Sequence, residues 1–178
     1  MLAISLLAPF SATTQVLTVC DALNKLSTLN GTEVHIRGIW EISDTGQRLI
    51  AWPDCSSALT IDGWIWKPAI DLQREEPNNY AKWKPVYDRW SALSGRCCTL
   101  VLATLIGKIR TRDHFKVSRY SGLPNAFGYS PAQLSIEDTR DLEAVVPSRP
   151  ELERIQRELR SPWPIRLKKT RHKWATGR

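Results

Sequence analysis

Residues 33–42 read Glu33-Val34-His35-Ile36-Arg37-Gly38-Ile39-Trp40-Glu41-Ile42, and their alternation decides the fold class. Val34, Ile36, Gly38, Trp40 and Ile42 share one parity. Glu33, His35, Arg37 and Glu41 share the other, and only Ile39 breaks step. Successive strand residues point to opposite faces, so this is a long strand with one buried side. Gly38 in its middle permits a sharp bend or a bulge. Asp44-Thr45-Gly46 turns the chain into a second strand, about Arg48 to Trp52.

Upstream, Val16, Val19, Leu23, Leu26 and Leu29 recur at steps of three or four, one face of a short helix. Thr18 is its expected N-cap, with Asp21 in the first turn, and Asn30-Gly31 is the stop. Downstream, a third strand fits Ala58 to Trp66, with a break at Asp62-Gly63, and the polar stretch Leu72 to Asn79 reads as loop. Tyr80, Trp83, Val86, Tyr87, Trp90 and Leu93 return at helical spacing. Pro85 either starts a shorter helix or kinks a longer one. Such a helix is held by docking on a sheet, because ordering its backbone is costly. Cys97 to Thr111 is the most apolar stretch and suits a strand buried on both sides for half its length, with Gly107 late in it. Phe115 to Tyr120, Ala132 to Ile136 and Leu142 to Val146 read as further short strands, the last being alternatively an extended exit. Pro150 to Arg160 reads as a short helix, and residues 161–178 as a mobile tail.

Three strands, a helix, then two or more strands, with glycines inside the first and fourth, is the order of the oligonucleotide/oligosaccharide-binding (OB) barrel. The expected fold is therefore mainly β with short helices: a closed or partly open five-stranded OB-like barrel, its helix between strands 3 and 4. A two-layer α+β sandwich shares the order. Residues 1–13 form an apolar N-terminal segment, 14–147 the barrel domain, and 148–178 a short helix and basic tail.

Three short pieces carry a resemblance. They are Val19-Cys20-Asp21-Ala22-Leu23, the strand from Gly31 to Arg37-Gly38 followed by Cys55, and Phe127-Gly128-Tyr129-Ser130-Pro131-Ala132-Gln133-Leu134. In this order they resemble a group of small bacterial proteins of unknown function, often exported, with an OB-like barrel. The resemblance spans roughly residues 18–136. It implies a fold and export, and supplies no activity and no catalytic residues. The basic tail lies beyond it.

Charge and cysteine usage narrow the function. The net charge is +7, but residues 161–178 hold six Lys and Arg and no acid, so the other 160 residues carry only +1. A groove tracking a phosphate backbone needs converging cations, which the domain's composition does not demand. Met1 to Phe10 is largely apolar and too short to span a bilayer. It resembles the h-region of a secretory signal, although no Lys or Arg precedes it and cleavage after Ala12 would put Phe10 at the −3 position. An apolar first strand or frayed end is the other reading.

Four cysteines occur without a Cys-x-x-Cys spacing, which disfavours structural zinc. In an exported protein Cys20 and Cys55 are the natural bridge, and in a cytosolic one they are two buried thiols. Of Cys97 and Cys98 one should face inward and one outward, the outward thiol being a small hydrophobe or a reactive group. His35, Asp113 and His114 are the residues suggesting acid–base work, and each reads as solvated surface. No nucleophile elbow, phosphate loop or metal motif is present, so neither a catalytic residue nor a cofactor or metal is assigned.

Eight tryptophans remain. Trp40, Trp83 and Trp90 read as core. Trp52, Trp64 and Trp66 end the second and third strands and are the candidate ligand contacts, with Trp64 and Trp66 on one face of a strand. The competing reading is that they cover the barrel or seal a loop. In the tail, Trp163 and Trp174 flank Arg166, Lys168, Lys169, Arg171 and Lys173, which suits an anionic surface, against a plain solvated extension. These features support a non-enzymatic, exported or periplasmic OB-like binding or structural module, its partner a small ligand, a glycan or a protein. The alternative is a cytoplasmic single-stranded nucleic-acid-binding protein using Trp64, Trp66 and the basic tail.

Overall fold

Thr18 caps the first described helix, as its spacing requires. In the computed structural model, which describes residues 15–43, 46–52, 55, 59–61, 64–66, 68–74, 80–95, 100–111, 130–160 and 165–166, Thr18 and Asp21 form a capping box. The Asp21 N–H donates to Thr18 Oγ1 at 3.0 Å, and the Thr18 N–H and hydroxyl donate back to Asp21 Oδ2 at 3.3 and 2.7 Å. The helical stretch is divided at Lys25 into α1 (Val19–Asn24) and α2 (Leu26–Leu29), and Gly31, at φ 78°, ends it. Val16–Thr18, expected to lie at the helix edge, is instead a short strand, β1.

β1 lies parallel to β2 (Glu33–Ser43), pairing Val16 to Thr18 with His35 to Arg37. β2 pairs with two further strands. Glu33 to Ile39 runs antiparallel to β7 (Leu100–Thr111), and Ile39 to Ser43 runs antiparallel to β3 (Gly46–Ile50). Between the β1 pairing, which ends at Arg37, and the β3 pairing, which begins at Ile39, falls Gly38. A Cβ there would lie 2.6 Å from the Ile50 carbonyl oxygen, 2.8 Å from Val19 Cγ2 and 3.0 Å from Leu49 Cγ. Glycine therefore lets β3 and α1 close on β2 together. β3 continues to β6 (Ala69–Arg74), β6 runs parallel to β8 (Ala132–Val145), and β8 returns antiparallel to β7. The five strands β2-β3-β6-β8-β7 thus form a ring. Val34, Ile36, Trp40, Leu49, Ile70, Leu105, Ile109 and Leu134, all under 4% exposed, fill its interior. The parity read from residues 33–42 holds.

Two register shifts interrupt the β7–β8 ladder, opposite Ile106/Gly107 and between Leu102 and Thr104. Each is met by a cation from α3 (Tyr80–Ser94), which lies between β6 and β7 in the chain. Lys82 Nζ donates to the Glu137 carbonyl at 2.6 Å, and Arg89 Nη2 to the Leu142 carbonyl at 3.2 Å. Bulged residues leave ladder carbonyls without strand partners, and these two side chains, two helical turns apart, satisfy a pair of them. Asp141 takes φ 51° in the second bulge. α3 also meets the core: Trp83 is buried, Tyr87 lies 5.7 Å from Trp40 between ring centroids, and Trp90 Nε1 donates to the Trp40 carbonyl at 3.0 Å. Pro85 sits inside α3, which runs on through it from Tyr80.

Several expectations require correction. The third ring strand is β6, not Ala58–Trp66, and it takes in Leu72–Arg74, read as loop. Residues 59–66 supply instead a hairpin, β4 (Leu59–Ile61) and β5 (Trp64–Trp66), outside the ring. Ala132–Ile136 and Leu142–Val145 belong to one strand, β8, whose parity changes at the bulge: Leu134 and Ile136 lie opposite Ile109 and Gly107, but Thr139 lies opposite Leu105. Two residues of the stretch read as a mobile tail lie in a strand: after α4 (Arg149–Arg160), Ile165–Arg166 forms β9 and pairs with Ile65 and Trp64. Residues 1–14, Cys97, Cys98, Asp113, His114 and Phe115–Tyr120 lie outside the described residues.

Candidate functional site

On the ring's outer face, one register row crosses all five strands. Glu41 on β2 pairs with Arg48 on β3, Arg48 with Asp71 on β6, Asp71 with Gln133 on β8, and Gln133 with Arg110 on β7. The inner neighbours Trp40, Leu49, Ile70, Leu134 and Ile109 are all buried, which fixes the outward direction of the row. The charges alternate, so the row is neutral.

Burial grades along it. Arg48 Nε lies 3.1 Å from Glu41 Oε2, with side chains 16% and 20% exposed. That carboxylate oxygen has no aligned hydrogen bond among the described residues, so the contact is an ion pair by proximity alone. Asp71 is 8% exposed and grips Ser130: Oδ2 accepts the Ser130 N–H at 3.1 Å and Oδ1 accepts its hydroxyl at 2.9 Å. Two charge-assisted hydrogen bonds to Ser130, just before β8, fix the start of that strand against β6. Burying a carboxylate requires such partners.

Next to this row the face turns apolar. Ile50 and Ala69, two residues along from Arg48 and Asp71, form a second cluster with Ile39 and Leu102, and half-buried Trp52 packs against it. The outer surface of β3 and β6 therefore sets an indole beside paired donors and acceptors. A second outer group is self-contained: Arg37 Nη1 donates to Thr104 Oγ1 at 3.2 Å and its guanidinium pairs with Glu143.

Of the three tryptophans proposed as ligand contacts, Trp52 packs on this face. Trp64 and Trp66 sit on β5, which pairs with β4 and β9 and with no ring strand among the described residues. Trp66 is 2% exposed, the burial expected of a covering residue. Asp71 and Ser130 escaped the sequence reading. The alternation Ile70-Asp71-Leu72-Gln73 was available to reveal β6 but is short and stands against a charged run. His35 lies on the outer parity as read, though half-buried. Cys20 and Cys55 are joined, with Sγ atoms 2.04 Å apart, tying α1 to the segment after β3. Arg166 lies on β9, while Lys168, Lys169, Arg171 and Lys173 lie outside the described residues.

The acids at the two helix starts are perturbed. The Thr18 hydroxyl and N–H hold the Asp21 carboxyl below its ordinary value, and the Ser148 hydroxyl and N–H do the same for Glu151. Among the described residues there is no group of three or more His, Cys, Asp or Glu placed to hold a metal, and no helix long and apolar enough to cross a membrane. No family model matches the chain, and no curated protein and no solved structure matches it either.

Proposed function

We propose that the chain is a non-enzymatic, exported module of OB-like architecture that binds a neutral polar ligand, a glycan foremost, on the outer face of β3 and β6. The ring order, the parallel β6–β8 pair and the position of α3 between the third and fourth ring strands support the barrel reading. OB barrels use the face of their second and third strands for ligands, which here are β3 and β6. The resemblance to small exported bacterial proteins points the same way. The Cys20–Cys55 bond favours an oxidising compartment.

One observation carries the ligand class: in the row Glu41–Arg48–Asp71 the part-exposed pair Glu41–Arg48 lies beside half-buried Trp52, while Asp71 is engaged by Ser130. Such a row offers donors and acceptors together, suited to hydroxyl groups, while an indole face stacks on a flat ring. A phosphate chain would meet a carboxylate on each side of Arg48. The burial of Trp66 also weighs against a Trp64/Trp66 platform for single-stranded nucleic acid.

The test is a titration of the full chain with neutral oligosaccharides, followed by amide NMR shifts. A parallel arm uses an oligothymidylate. Shifts clustering at Arg48, Ile50 and Asp71, lost in Trp52→Ala with an unchanged melting curve, are expected. Shifts confined to the oligonucleotide arm, or scattered away from β3 and β6, would reject the proposal.

A further inference from the structure

The chain's charge is confined to one segment. Residues 149–178 hold ten Lys and Arg against Glu151, Glu153 and Glu158, a net +7 equal to that of the whole chain, while residues 1–148 carry fifteen of each sign. The segment is attached at defined points. α4 opens with a Ser148–Glu151 capping interaction and buries Ile155 to 4% exposure, while Arg149 at its start is 90% exposed. Beyond α4, Ile165 and Arg166 pair with β5, and the rest of the basic run follows them in sequence.

We infer that residues 163–174 are an electrostatic anchor for an anionic lipid surface, holding the neutral ring beside a membrane. Arg166, Lys168, Lys169, Arg171 and Lys173 fall within eight positions that contain no acid. Each basic residue held near an anionic leaflet adds attraction that fades within a Debye length. Trp163 and Trp174 bracket the run, and tryptophan is the side chain best suited to the headgroup level. Because the rest of the chain is neutral, its field neither adds to nor opposes this local attraction.

Nucleic acid is the competing polyanion. A protein following a phosphate backbone extends its cationic track across the folded body, and here the ring's outer row alternates in sign instead. The choice of lipid over nucleic acid rests also on the export reading above. The ligand face on β3 and β6 plays no part in it.

Co-sedimentation of the full chain with phosphatidylcholine vesicles, with and without phosphatidylglycerol, tests the anchor. Binding is expected only to the phosphatidylglycerol vesicles and should be released by salt. The variant Lys168→Gln/Lys169→Gln/Arg171→Gln/Lys173→Gln should partition roughly 600-fold more weakly, at about 5-fold per charge, with its thermal melt unchanged. Trp174→Ala should give a smaller loss that salt does not alter. Equal binding to pure phosphatidylcholine, or retention by the quadruple variant, would overturn the anchor. Tighter binding to an oligothymidylate than to vesicles at the same salt would overturn the choice of lipid. None of these outcomes touches the saccharide titration, which is read at Trp52 and Arg48.

Discussion

Replacing Gly107 with alanine puts the closure of the ring to a direct test. A Cβ at this position would lie 2.0 Å from the Ser135 carbonyl oxygen, 2.9 Å from its carbon and 3.1 Å from Ile136 Cα. All three are backbone atoms of β8, so no side chain can rotate away to make room. Ordinary contact begins near 3.4 Å, and β8 must retreat by more than an ångström at the bulge. The pairs Gly107↔Ile136 and Lys108↔Ser135 would open, at about 1 kcal/mol per ladder hydrogen bond. Over-packing adds about 1–3 kcal/mol, because Leu134 and Ile136 are buried on the inward side. Against this, alanine lowers the unfolded chain's entropy by about 0.4–1 kcal/mol. A net loss of about 3 kcal/mol is expected, read as an equilibrium urea transition by tryptophan fluorescence and as a fall of roughly 10 °C in Tm. The exposed neighbour in Lys108→Ala should stay within about 0.5 kcal/mol of the parent. A Gly107→Ala protein within about 1 kcal/mol of the parent would refute the close seating of β8 on β7.

Four further outcomes follow from the contacts described. Cys20→Ser/Cys55→Ser removes a closed loop of 35 residues and should cost about 3.8 kcal/mol in the chain-entropy model, less any native strain; a urea midpoint equal to the parent's would contradict this. Lys82→Met and Arg89→Met each leave a bulge carbonyl without its cation and should cost about 1 kcal/mol apiece, with faster amide exchange confined to residues 136–143; uniform exchange along β8 would count against the pairing. Asp71→Ala strips Ser130 of both partners and should cost about 3 kcal/mol, checked by the same urea transition. The Asp21 and Glu151 carboxyls lie below their ordinary values, so the caps' contribution is complete above the unfolded-state values of about 4 and is lost as pH falls through the lower folded-state ones. Carboxyl NMR titration should show both midpoints depressed, and an ordinary midpoint at either would remove that cap from the account.

Much of the ring was legible because a strand with one buried face leaves a period of two. Residues 33–42 show it over ten positions, and Gly107 inside the apolar run marked the second close approach. Thr18 and Asp21 announced their cap by residue type and spacing alone. The failures share a cause. β8 hides behind two bulges, each adding a residue that shifts parity, so a fixed period finds two fragments. β6 is short, and its outward Asp71 is polar because it serves Ser130, a partner distant in sequence that no local window reveals. For the candidate site, Trp52 could be picked out by type and place. The row beside it is a property of register between strands, and register across β3, β6 and β8 is set by the closed ring. For the tryptophans of β5, residue type and spacing suited stacking and covering equally; Trp66 is buried, because burial depends on what folds over a hairpin.

The parallel β6–β8 pair bears on the order of events during synthesis. Asp71 must find Gln133, and Glu33 must find Lys108, so most stabilising pairings join remote parts of the chain. Domains of that kind fold in milliseconds to seconds, slower than helical ones. Until residues 132–145 have left the ribosome, β6 and β7 each lack a flanking partner and the nascent polypeptide stays open. Cys20 and Cys55 both precede β6 in the chain, so both cysteines are available before the ring can close.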